Sequence, residues 1–223
     1  MTCRVVLATR NAHKVGEVQR IVSVLTEEIE IIDLGEFPQA PAVVEDGGTF
    51  AQNALKKARA IASHTGLPAI ADDSGICVDA LNSMPGIFSA RWAGSHGNDS
   101  QNLQLLLDQL GDVPDGRRGA HFLAAVALVL PDGEERVVEG IVEGDIVRAP
   151  RGVDGFGYDP IFQPHGYEHT MAELTPGQKD AISHRGQALR AMVPLLVDAL
   201  GLGEGGCKGC ADCSCGKNST DID

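Results

Sequence analysis

At 223 residues, 43% hydrophobic and 22% charged, the chain has the composition of a globular protein with ample length for a core. A formal net charge of −13 excludes a broad nucleic-acid surface, which needs a basic footprint, but not a small anion held in a local basic pocket. No apolar run approaches the roughly 20 residues of a membrane span, and Arg4-Val5-Val6-Leu7 is too short for a signal peptide, so a cytoplasmic protein with no membrane or nucleic-acid partner is expected.

Residues 4–9 read as a short apolar strand. The polar stretch Thr9-Arg10-Asn11-Ala12-His13-Lys14 follows, then a helix marked by Val15, Val18, Ile21, Val22 and Leu25. A strand that ends in a polar loop opening a helix aims backbone N–H groups and a positive dipole end at one spot, which suits phosphate, and Lys14 adds a charge there. An ordinary N-cap is the competing reading. Ile29 to Leu34 reads as a second strand and loop. Thr49 with Gln52 forms a capping-box signature for a helix whose buried stripe is Phe50, Ala54, Leu55, Ala58, Ile61 and Ala62. Asn53 and Lys57 share a different face of it; Lys57 taken alone reads as a solvated surface lysine.

Ala69 to Asp79 reads as strand, acidic tip, strand, with Ser74-Gly75 supplying the turn. Asp72 and Asp73 side by side would repel unless a cation sits near them, and Mg²⁺ prefers such carboxylates together with water and phosphate. The alternative is a solvated acidic turn. A Gly-bounded segment, Met84 to Gly94, carries the single tryptophan. A helix over 99–110 follows, then a long hairpin from His121 through Pro131-Asp132-Gly133 to Val147, which adds sheet area rather than chemistry. Arg151 to Phe162 interleaves glycines with Phe156 and Tyr158. Such a loop lies flat against a planar base, whose stacking is worth about 1–3 kcal/mol, or is a Gly-rich turn over core aromatics. Thr175-Pro176 opens a helix carrying Lys179. Ser183 caps the last helix and puts His184 and Arg185 in its first turn, against the dipole, a cost more easily met where an anion or polar ligand binds.

Collected, these pieces describe a nucleoside triphosphate site: metal, polyphosphate and planar base, with metal-assisted hydrolysis as the chemistry. The segments Thr9-x-Asn11-x-x-Lys14, Glu45-x-Gly47-x-Thr49-Phe50-x-x-Asn53-Ala54, Ala71-Asp72-Asp73-Ser74-Gly75, Phe156-Gly157-Tyr158-Asp159-Pro160 and Lys179-x-Ala181-x-Ser183-His184-Arg185-Gly186 resemble, in order and spacing, the inosine triphosphate pyrophosphatase family, the Ham1-like dITP/XTP pyrophosphatases. The resemblance runs from about Val5 to Leu200.

That resemblance implies an α/β fold with a long twisted mixed sheet flanked by helices, two lobes and a central cleft, assembled as a homodimer. It implies Mg²⁺-dependent hydrolysis of ITP, dITP and XTP to the monophosphate and pyrophosphate. Position by position, it implies that the loop Thr9, Arg10, Asn11, Ala12, His13 and Lys14 binds substrate, with Thr9, Asn11 and Lys14 on phosphate and Lys57 assisting. Asp73 would be general base and metal ligand, and Glu45 and Asp72 would complete the metal cluster. Ser74 would contact substrate, Phe156, Gly157, Tyr158 and Asp159 would embrace the nucleoside, and Lys179, His184 and Arg185 would complete the base pocket. Donors from His184 or Arg185 suit a 6-oxo group and would leave a buried donor unpaired against adenine, so Arg185→Ala is expected to erode base preference more than stability. Arg10 departs from the family, standing where many members carry glycine.

Residues 1–202 are expected to form one pyrophosphatase domain and 203–223 a flexible tail whose Cys207, Cys210, Cys213 and Cys215 could bind Zn²⁺ or Cu(I). Three rival functions stay open: the same reaction with a different base preference; a non-catalytic nucleotide-binding regulator, which has no need of the carboxylates and Lys14; and a metal-handling protein defined by its tail.

Overall fold

The computed structural model describes residues 2–94 and 97–202; the cysteine tail lies outside them. Strands β1 (Cys3–Leu7), β2 (Ile29–Ile32), β3 (Ala69–Val78), β4 (Met84–Pro85), β5 (Gly119–Val129), β6 (Glu135–Ile146) and β7 (Phe162–Pro164) form one sheet. Its order is β2-β1-β3-β5-β6-β7, with β4 also on β3. The β1 pairings with β2 and β3 are parallel and the others antiparallel, so the mixed sheet expected from the sequence is present. The helices are α1 (Ala12–Leu25), α2 (Phe50–Thr65), α3 (Asp99–Gln109), α4 (Pro176–Ile182) and α5 (His184–Ala199).

Strand alternation assigns the two faces. Val5, Leu7, Ile70, Val126 and Leu128 meet Val18, Ile21 and Val22 of α1 and Leu189, Met192 and Leu196 of α5. Val6, Ala69, Ala71, Ala125 and Ala127 meet Phe50, Ala54, Ala58 and Ile61 of α2 on the opposite face. The small alanines let α2 lie close to the sheet. A third core, built from Leu103 and Leu106 of α3 and its C-cap Leu110 with Ile76, Phe122, Ile161 and Phe162, closes the far end. Among the described residues no helix is long and apolar enough to cross a membrane.

One sequence expectation fails here. Residues 69–78 do not turn at Ser74-Gly75; they run as one strand, paired with β5 without interruption from Ala69–Val129 to Val78–Ala120. The full-length ladder outweighs the turn preference of two residues. Gly75 is needed for close approach instead: a Cβ there would lie 2.4 Å from Ser89 Oγ and 2.5 Å from Gly86 O.

The other edge of β3 creates the cleft. β1 pairs with it only at Ala69 and Ile70, and β4 only at Cys77 and Val78. Among the described residues, 71–76 therefore have no strand partner on that side, and at Ile76 Ser89 fills the edge. The gap lies at the carboxyl end of β1, where α1 and α2 leave on opposite faces, the switch point at which open α/β sheets bind ligands.

Candidate active site

The gap opens into a cavity of about 560 Å³ lined by the Thr9–Asn11 loop, Lys14, Glu45, Lys57, Asp73 to Gly75, Phe156 to Asp159, Lys179, His184 and Arg185. The structure thus brings residues from all five sequence motifs to one place. Asn11 caps α1, its side chain accepting from the N–H groups of His13 and Lys14; the loop that reads as a phosphate cradle is held in shape by the cap that competes with that reading.

Because neighbouring side chains on a strand point to opposite faces, Asp72 and Asp73 never confront each other. Asp73 faces α2. Lys57 Nζ lies 2.9 Å from its Oδ1 and Asn53 Nδ2 3.1 Å from its Oδ2. The same Lys57 Nζ reaches Glu45 Oε1 at 3.1 Å and the Asp72 carbonyl at 2.9 Å, so one ammonium bridges the two carboxylates rather than facing solvent. Burial raises the Asp73 carboxyl above its ordinary value, and the pull of Lys57 and Lys14 does not cancel that.

Asp72 faces the other way, toward α1 and α5. Arg185 Nε and Nη2 grip its two oxygens at 3.2 Å each, Lys14 Nζ pairs with Oδ2, and Ser74 Oγ, 2.7 Å from Arg185 Nη2, lies beside them. Burial alone would raise Asp72, but the guanidinium and ammonium outweigh it and hold the carboxyl well below the usual range. The expected cluster of Glu45, Asp72 and Asp73 is therefore not assembled. Among the described residues no three His, Cys, Asp or Glu side chains are placed to hold a metal by themselves.

Glu17, unmarked in the sequence reading, completes a buried charge chain. It binds Lys179 Nζ at 2.7 Å and Arg185 Nη1, and Lys179 Nζ reaches Asp159 Oδ2 at 2.7 Å. Asp159, Lys179, Glu17, Arg185, Asp72 and Lys14 thus alternate in sign. The cationic first turn of α5 is balanced from within the protein. Its conflict with the helix dipole did not by itself point to a ligand.

At the nucleoside end the motif residues divide their work. Asp159 accepts from the Phe156 N–H at 2.8 Å and shapes the Gly-rich loop. Tyr158 is buried, its hydroxyl donating to the Ser89 carbonyl at 2.9 Å, so it serves the core. Phe156 also lines the cleft: Lys179 Nζ lies 4.8 Å from its ring centre, and His13 stacks on it at 5.4 Å. Phe122 of β5 stacks on His184 at 4.8 Å and 9°, so the long antiparallel pair does contribute to the site. The buried His184 Nδ1 has no protein partner among the described residues.

Burial, with Arg185 beside it, holds the His184 imidazole well below its ordinary 6.5, so it is neutral in the fold. The unfolded chain takes up a proton there as pH falls and the native chain does not, so stability declines on acidification below that value. Tm should fall between pH 6.5 and about 5, and His184→Gln should make that slope shallower; equal slopes would assign it to other groups. Burial likewise pushes the Cys77 thiol up to about 11, away from the thiolate that reacts.

A profile of the Ham1 family matches residues 5–195. A dITP/XTP pyrophosphatase of Streptomyces coelicolor is 57% identical over 198 residues, covering 89% of this chain and 99% of that one. The dITP/XTP pyrophosphatase of Cutibacterium acnes is 56% identical over 196 residues, covering 87% and 96%. Among solved structures, a nucleoside-triphosphatase / dITP/XTP pyrophosphatase from Mycobacterium abscessus superposes with a TM-score of 0.70 at 54% identity, covering 86% of this chain and 99% of its own. A HAM1 protein from Coxiella burnetii does so at 0.79 and 43%, covering 88% and 100%.

Proposed function

The chain belongs to the Ham1 family, and from that premise we propose that it hydrolyses nucleoside triphosphates carrying deaminated purines (ITP, dITP and XTP) to the monophosphate and pyrophosphate, in the cytoplasmic nucleotide pool. The observation that carries the reading is Asp73. It is a buried carboxyl with a raised proton affinity, open to a cleft that also holds Lys14, Lys57, Lys179 and Arg185.

Water attacks the α-phosphorus; its oxygen bonds to phosphorus, its proton passes to Asp73, and the bond to the β-phosphate oxygen breaks with the electron pair leaving on pyrophosphate. We assign to Lys14 and Lys57 the stabilisation of charge growing on the leaving group. Glu45 and Asp73 present hard oxygens to one shared cation, the Lys57 ammonium, a donor pair that fits Mg²⁺, which takes one or two carboxylates and completes its shell with water and phosphate. Bound there, Mg²⁺ supplies positive charge that lowers the pKa of the attacking water. We assign Asp72 to holding Arg185 and Lys14 rather than to the metal.

For the base, Phe156 offers a ring to stack on. His184, neutral and lining the cleft, donates to a 6-oxo oxygen through the ring nitrogen that carries its proton; the 6-amino group of adenine would set donor against donor. Arg185 is committed to Asp72, Glu17 and Ser74, which makes His184 the better reader of that position. The proposal includes a homodimer, which the family resemblance supports; sedimentation of the full chain as a monomer would remove that part.

The test is pyrophosphate release with Mg²⁺ from ITP, XTP, GTP and ATP in parallel. Fast release from ITP and XTP and slow release from the other two is the expected result. Binding without release from any of them would favour the regulator reading.

A further inference from the structure

We propose that Asn53 is a positioning residue that holds the two acidic groups of the cleft, Asp73 and Glu45, in register. The inference rests on the pyrophosphatase reading above and extends it to a residue that does not touch substrate. Asn53 lies in α2, one turn before Lys57, and is fully buried. Its Nδ2 donates to Asp73 Oδ2 at 3.1 Å, and its Oδ1 accepts from the Gly47 N–H at 2.8 Å. Gly47 lies two residues beyond Glu45. One amide therefore ties the carboxylate on β3 to the loop that carries the other carboxylate.

The chemistry of the two contacts selects this side chain. A carboxylate needs a donor and a backbone N–H needs an acceptor. An amide supplies both, an aspartate only the acceptor, a leucine neither. Flipping the amide would set acceptor against carboxylate and donor against donor, so one orientation is defined. The loop rests directly on this group: a Cβ at Gly47 would stand 2.7 Å from Asn53 Oδ1 and 2.9 Å from Gln52 Cβ. From the opposite side Arg91 Nη2 donates to the Glu45 carbonyl at 3.1 Å. Held at both ends, the loop fixes where Glu45 stands relative to Asp73, while Lys57 spans the gap between them.

Three variants of the full chain test this. Asn53→Leu keeps the branched shape and removes both bonds. Asn53→Asp keeps the acceptor for Gly47 but turns the donor to Asp73 into a second carboxylate. Gly47→Ala leaves Asn53 intact and pushes the loop off it. With XTP and Mg²⁺, both Asn53 variants should lose about 100-fold in kcat, and Gly47→Ala about 10-fold, with KM within about threefold of wild type, the signature of lost alignment rather than lost binding. Thermal melts run alongside should show folded proteins. Folded variants with kcat within about twofold of wild type, or with raised KM and unchanged kcat, would overturn the proposal. So would loss of fold in all three, which would make Asn53 part of the scaffold alone. A wild-type chain that releases no pyrophosphate from any triphosphate would instead overturn the pyrophosphatase reading, and that is seen before any variant is made.

Discussion

Asp73→Asn lowers kcat on XTP by about a thousandfold, within the range attributable to a positioned general base, and leaves the fold in place. The substitution is nearly isosteric. Oδ1 can still face Lys57, and the charge removed is one whose burial was unfavourable, since burial already raises the Asp73 carboxyl. What it leaves behind is a donor facing the Asn53 amide, so the expected change in stability is at most about 2 kcal/mol. Pyrophosphate release and a thermal melt on the same preparation check both halves. Residual turnover above about a tenth of wild type would mean that another group takes the proton, because losing a general base typically costs 100-fold or more.

Arg185→Ala produces the largest loss of stability. Its side chain is 2% exposed, and its guanidinium grips both oxygens of Asp72 and reaches Glu17 and Ser74. Truncation leaves two buried carboxylates short of their main partner, and breaking a buried pair in this way costs about 3–5 kcal/mol, or roughly 6–20 °C in Tm for a chain of this size. Read from sequence, the same change is expected to disturb base preference more than stability. The structure reverses that order, because the groups Arg185 serves are inside the protein. A melt within about 3 °C of wild type, less than 1–2 kcal/mol at this chain length, would contradict the charge chain.

The contrast shows what a sequence carries. The start of α1 at Asn11, the capping of α5 by Ser183 and the shared face of Asn53 and Lys57 are local, set by side chains three or four positions apart, and all are legible. The partners of Glu17 are not. They lie 162 and 168 residues away, and no local signal marked Glu17 for burial. The false turn at Ser74-Gly75 has the same origin: β5, which pairs with it, begins at Gly119, and no local signal reports a partner that distant. The opposite facing of Asp72 and Asp73 followed once the segment was a strand. With it went the need for a metal to relieve their repulsion, leaving the case for Mg²⁺ to Glu45, Asp73 and the substrate phosphates.

The measurement that tests the central claim most directly is hydrolysis of XTP in water enriched in ¹⁸O, with the label located by mass spectrometry of the products. Attack on the α-phosphorus with Asp73 as base puts the label in the monophosphate and leaves pyrophosphate unlabelled. Label in the pyrophosphate would mean attack at the β-phosphorus, and label in inorganic phosphate would mean removal of the terminal phosphate; either would contradict the placement of substrate along this cleft.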